Sequence, residues 1–141
     1  MAFYPDGSVY VYGSTAPEPY ILNVGWLSKD YPYVRGATPD WLLDRLRVRV
    51  ASPVNLYRGY HVCDFCPESP KKTLPNGIQI SDHPTERMGN GEIRVQALDG
   101  KIYVAPRLIY HYVSGHGYLP PAEFIAALAA DLPQPGPPQG A

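Results

Sequence analysis

Two cysteines separated by two residues, Cys63-Asp-Phe-Cys66, and two histidines separated by four, His111-Tyr-Val-Ser-Gly-His116, are the residues whose types and spacing carry chemistry. Thiolate sulfur and imidazole nitrogen are donors that Zn2+ takes four at a time in a tetrahedron. A tight turn with two cysteines three positions apart presents both sulfurs to one point, and His-x4-His lies within the spacing a finger helix uses. The expected metal ligands are therefore Cys63, Cys66, His111 and His116, and the expected cofactor is Zn2+. Between the pairs lie 44 residues, where a compact finger has about a dozen. The reading thus requires an insertion, placed at Pro67 to Met88. His61 and His83 are the substitute ligands. The same cysteines could instead form a redox dithiol, but such motifs lower a thiol pKa at a helix N-terminus, whereas here Pro67 follows in a turn-rich stretch.

Elements to position those residues have local signals. Thr38-Pro39-Asp40 supplies an N-cap hydroxyl, a proline at the first helical position and an early acid. That predicts a helix carrying Trp41, Leu42 and Leu46 and ending before Pro53. A second helix is expected from Pro106 to Gly115, with Leu108, Ile109, Tyr112 and Val113 at helical spacing. His111 would sit in its last turn and His116 just beyond the terminating glycine. A third should open at Pro120-Pro121 and bury Phe124, Ile125 and Leu128. Glu92 to Ala97 and Ile102 to Ala105 flank Asp99-Gly100, a dipeptide favoured by type I′ turns. They predict a β-hairpin whose first strand is half-buried through Ile93 and Val95. The order is cysteine turn, hairpin, helix. It predicts an α+β fold: a small zinc-stabilised domain with a CxxC knuckle, a β-hairpin and helices, treble-clef-like.

The chain's 141 residues make one domain's worth, so residues 1–131 are read as a single zinc-binding domain. Residues 132–141, almost all proline, glycine and glutamine, are read as a disordered tail. Seventeen prolines and 13 glycines point to short elements and many turns. Thirteen acidic residues nearly cancel 12 basic ones, which removes any bulk electrostatic case for nucleic acid or an anionic membrane. The densest basic set is Arg45, Arg47, Arg49, Arg58, Lys71 and Lys72, diluted by Asp64 and Glu68. There is no signal-peptide pattern and no apolar run of membrane-spanning length, so a cytoplasmic location is expected. In that reducing compartment a cysteine pair is better read as ligands than as a disulfide. Trp26 and Trp41 are expected in the core.

Several stretches together resemble a family of small uncharacterised bacterial proteins: Asn23-Val-Gly-Trp-Leu27, Pro53 through Cys66, Gly89-Asn-Gly-Glu-Ile-Arg-Val95, Tyr103 through Tyr112, and His116 through Phe124. The resemblance covers most of the chain up to the tail and implies a bacterial origin, but it supplies no activity.

Two functional classes remain open to the sequence. A closed Cys2His2 shell leaves zinc no position for water. Neither a nucleophile with an adjacent base nor a phosphate-cradling glycine loop occurs elsewhere. This favours a non-catalytic structural-zinc module whose partner is another protein. Twelve tyrosines, several beside prolines at Tyr4-Pro5, Pro17-Glu-Pro-Tyr20 and Tyr31-Pro-Tyr33, offer amphipathic contact surface. The alternative is a metal-dependent ββα-metal nuclease similar to the HNH group, with Asp82-His83 supplying the base and Asn90 and His111 as later partners, or a nucleic-acid-binding zinc finger.

Overall fold

The computed structural model describes residues 3–10, 18–53, 63, 65–66, 71–81 and 91–133. Among them are five strands and three helices in the order β1 (Ile21–Asn23), α1 (Asp40–Val50), β2 (Lys71–Thr73), β3 (Gln79–Ser81), β4 (Glu92–Gln96), β5 (Ile102–Pro106), α2 (Ile109–His116) and α3 (Ala122–Ala130). The architecture is mixed α+β. A three-stranded sheet runs β1-β5-β4, with β5 antiparallel to β4 and parallel to β1; β2 and β3 form a separate antiparallel pair.

The β4–β5 hairpin lies where its signals place it, with Arg94 opposite Val104, but its turn is not type I′. Type I′ needs positive φ at both central residues. Here Gly100 has φ of 91° and Asp99 does not share that region. The Gly100 N–H donates to Ala97 C=O at 3.1 Å and the Ala97 N–H to Lys101 C=O at 2.8 Å, so a type I turn is followed by a glycine bulge. The Lys101 N–H closes it on Asp99 Oδ1 at 3.0 Å. Leu74 to Ile78 repeats the same pattern, with Gly77 at φ of 86° and Asn76 Oδ1 accepting from the Ile78 N–H. The insertion placed at Pro67 to Met88 therefore contains the β2–β3 hairpin, and Asn76-Gly77 is the signal that marked it.

Strand β4 alternates as expected, but neither face is wet. Ile93, Val95, Tyr103 and Ala105 join the main core with Leu42 and Leu46 of α1, Ile109 and Tyr112 of α2, and Phe124 and Leu128 of α3. Ile21, Trp26 and Val104 point the other way and are covered by Tyr10 and Tyr4. The polar residues of β4 fall on this second buried face. Glu92 is 0% exposed and Arg94 2%; Tyr10 Oη donates to Glu92 Oε1 at 3.1 Å, and the Arg94 guanidinium lies 5.2 Å from the Tyr10 ring centroid. Trp26 is core, its indole N–H donating to Val104 C=O. Trp41 is only partly buried, under the Arg45 guanidinium.

Helix α1 begins at Asp40 with Pro39 as its flanking residue, and no side chain caps it, so Thr38 does not play the expected role. Helix α3 begins after Pro121 as predicted; Phe124 and Leu128 are buried, whereas Ile125 is only partly so. Arginines of α1 are spent on the end of α3. Arg45 Nη1 donates to the carbonyls of Leu128 and Ala129 at 2.6 Å each, and Arg49 Nη2 to that of Leu132 at 2.6 Å. Guanidinium charge there satisfies the last carbonyls and complements the helix dipole. With Arg47 paired to Asp44, the described arginines of the sequence-read basic set all have intramolecular partners. Arg58 and the side chains of Lys71 and Lys72 lie outside the description.

Candidate metal centre

Cys63 and Cys66 sit in a turn against α2, with Cys63 buried in the main core and Cys66 packed at its edge. Helix α2 opens at Ile109, because Pro106 is the last residue of β5, and it closes at His116 rather than Gly115. His111 is therefore in its first turn and His116 is its last residue, a correction to the expected placement of both. The left-handed position at the helix end belongs to Gly117, with φ of 66°. Its N–H reaches Tyr112 C=O, five residues back, and the Tyr118 N–H donates to the same carbonyl at 3.1 Å. That closure is a wide, π-like turn. It suits the five-residue interval between histidines, which in a regular α-helix would face about 140° apart.

Gly115 has a different task from the one its residue type announced. A Cβ there would lie 3.3 Å from His111 Cε1 and 3.5 Å from His111 Nδ1. The imidazole of His111 folds over the bare backbone of Gly115, which brings its Nε2 toward the end of the helix.

The result is a convergence of all four sequence-read ligands. His111 Nε2 and His116 Nε2 are 3.1 Å apart. Cys66 Sγ lies 3.2 Å from His111 Nε2 and 3.5 Å from His116 Nε2, and Cys63 Sγ lies 3.3 Å from His116 Nε2. All four atoms fall within 4.8 Å of one another, and among the described residues this is the group of Cys, His, Asp or Glu side chains able to hold a metal ion. Hydrogen bonds do not account for the arrangement, because an imidazole nitrogen has one N–H or one lone pair and His116 Nε2 faces three heteroatoms. A central cation does. Zinc with bonds of about 2.3 Å to sulfur and about 2.0 Å to nitrogen gives tetrahedral edges of about 3.5 Å for S···N and about 3.3 Å for N···N.

The electrostatics agree. Burial, and then the Arg35 guanidinium, hold His116 below the ordinary imidazole pKa, which keeps it neutral and free to ligate. Burial pushes the Cys63 thiol up to about 11. Without a cation it is protonated and a weak nucleophile, so its thiolate form depends on a bound metal.

Aromatic side chains enclose the group. Phe65, between the cysteines, lies 5.3 Å from the His116 ring, 5.1 Å from Tyr33 and 5.9 Å from Tyr112. Tyr33 Oη donates to His116 C=O at 2.9 Å. Around it residues 33–36 pair with the chain leaving α2: the Gly36 N–H donates to Gly117 C=O and the Leu119 N–H to Val34 C=O. Asp6 then ties in the N-terminal segment, accepting from Tyr118 Oη at 2.7 Å and from the Gly25 N–H at 2.9 Å. From sequence Tyr33 was read only as contact surface and Gly115 only as a helix terminator, and Phe65 was not singled out. Phe65 was legible by its place between the cysteines; Tyr33, 83 residues from His116, carried no signal. His61, His83 and Asn90 lie outside the described residues.

No helix among the described residues is long and apolar enough to cross a membrane. Residues 2–129, a span containing all four converging side chains, match the family described as Domain of unknown function (DUF7919), and the chain belongs to it. No curated protein and no solved structure matches the chain significantly.

Proposed function

We propose that the chain is a non-catalytic structural-zinc module: Zn2+ held by Cys63, Cys66, His111 and His116 ties the cysteine turn to α2 in a treble-clef-like order of knuckle, hairpin and helix. One observation carries this reading, the mutual approach of four ligand atoms within 4.8 Å, with four of their six separations at 3.1 to 3.5 Å, close to tetrahedral edges. Four protein ligands fill a tetrahedral zinc and leave no position for an activated water, so the ion's work is to hold the fold. The described helices are short, and such a link can supply on the order of 10 kcal/mol, comparable with a whole domain's stability. In this reading residues 1–131 form the module and 132–141 a tail, and the protein works in the cytoplasm by contacting another protein. Tyr20 and Tyr31, about half exposed, fit that role, since Tyr is enriched at interfaces. The nuclease alternative loses His111, which is drawn into the Cys2His2 group, and the nucleic-acid alternative loses arginines bonded within the fold.

Elemental mass spectrometry on untagged protein tests the site. One zinc per chain, lost in His111→Ala and in His116→Ala, is the expected result. Metal-free protein, or zinc retained in both variants, overturns the assignment.

A further inference from the structure

The two cysteines are chemically alike but not equally placed. Cys63 is 4% exposed and belongs to the core, whereas Cys66 is partly exposed at its margin. They are also the chain's two cysteines, so an intramolecular disulfide has one choice of partners, and their Sγ atoms already lie within 4.8 Å. We propose that this pair is a peroxide-sensitive switch in which Cys66 is attacked, Cys63 resolves, and the disulfide that forms expels the metal and unfastens residues 33–36. This rests on the metal reading above.

The step balances with peroxide as oxidant. The Cys66 thiolate attacks one peroxide oxygen, the O–O bond breaks, and Cys66 becomes a sulfenic acid with release of hydroxide. The Cys63 thiolate then attacks Cys66 Sγ, forming the S–S bond and expelling a second hydroxide. Two thiolates lose two electrons, and peroxide takes them. Zinc is left with two imidazoles and departs.

The moving part is identified by what leans on the site. Residues 33–36 are held by Tyr33 Oη on the carbonyl of the ligand His116, by the pairing of Gly36 with Gly117 and Leu119 with Val34, and by the Tyr33 ring against Phe65. Each anchor lies on a ligand, between two ligands, or within three residues of one. Val34, 62% exposed, rides on the same stretch, so the oxidation state of the site controls how that surface is presented.

The test begins with reduced, zinc-loaded protein whose stoichiometry has been measured; absence of zinc at that point defeats the metal reading itself. Hydrogen peroxide is then titrated while a chromogenic chelator reports zinc. The expected result is zinc release in step with a Cys63–Cys66 disulfide found by peptide mass. Dimedone should trap sulfenic acid on Cys66 at early times, and amide exchange should quicken at Gly36 and Leu119. Cys66→His, which keeps a zinc ligand, should release zinc at least about tenfold more slowly, because the remaining thiol is buried. Cys63→His should accumulate the Cys66 sulfenic acid and form no disulfide. Zinc retained by peroxide-treated parent protein, dimedone trapped on Cys63 instead, or release without a disulfide would overturn the switch while leaving the metal site standing. The dimedone map is made on the parent chain, so it holds even where a variant does not fold.

Discussion

Replacing Gly115 with alanine sets two effects of opposite sign against each other. Gly115 lies inside α2, where alanine favours the helix by about 1 kcal/mol. The new methyl would stand 3.3 Å from His111 Cε1 and 3.5 Å from Nδ1, a few tenths of an ångström inside the optimal separation of about 3.5–4.0 Å. The imidazole must swing away by a similar amount. Metal–ligand distances tolerate only about 0.2 Å, and losing a contact that orients a ligand costs roughly 10- to 100-fold in metal affinity, or about 1.4–2.7 kcal/mol. With the helix gain subtracted, Gly115→Ala should hold zinc about two- to twentyfold more weakly. Competition against a fluorescent chelator of known affinity measures this directly. Ser114→Ala is the control, since exposed Ser114 gains helix propensity without approaching the imidazole ring; it should bind zinc as tightly as the parent or slightly tighter. Gly115→Ala zinc retention equal to or better than the parent's would show that His111 is not positioned by the missing side chain.

Other consequences are quicker to state. Cys63→Ser or Cys66→Ser should give metal-free protein without a cooperative thermal transition, and a soluble, cooperatively melting serine variant by calorimetry would make the metal dispensable. Chelator treatment of the parent should collapse near-ultraviolet circular dichroism from the tyrosines around the site, with zinc but not magnesium restoring it. Tyr33→Phe removes one part-buried hydrogen bond to His116 C=O, so it should cost about 0.5–1.5 kcal/mol in denaturant unfolding with zinc stoichiometry unchanged; loss of zinc would mean that the hydroxyl holds the ligand itself. Burial first, then Asp99 and Glu123, raise the Tyr103 pKa above its ordinary 10.0. The phenol is therefore kept neutral in the fold, its contribution is complete below pH 10, and stability falls as pH rises past that value. Tyr103→Phe should flatten the alkaline decline of unfolding free energy, and an unchanged slope would remove Tyr103 as its source.

The four converging side chains were legible because their chemistry is restrictive: few arrangements need two cysteines three apart and two histidines five apart, and a shared metal would demand convergence whatever the chain does between. What local pattern could not supply was how α2 meets that demand. Gly115 and Gly117 offer the same residue type two positions apart, and a propensity argument takes the first as the terminator. Only the ring of His111 lying over Gly115, with Gly117 in the left-handed region, separates a glycine kept for space from one kept for backbone conformation. Strand β4 repeats the lesson for burial. Its alternation was read correctly, but period two says which residues share a face and not whether that face is wet. The cover comes from Tyr10, 82 residues before Glu92, and a bond that closes so distant a pair leaves no periodic trace. The closure between Asp6 and Tyr118 spans 112 residues and is equally silent in sequence. It also shows why the Cys2His2 cluster is not a detachable finger: its last member, His116, is two residues from a tyrosine anchored in the N-terminal segment. Metal binding, the sheet's first strands and the Tyr33 strap should therefore form and melt together.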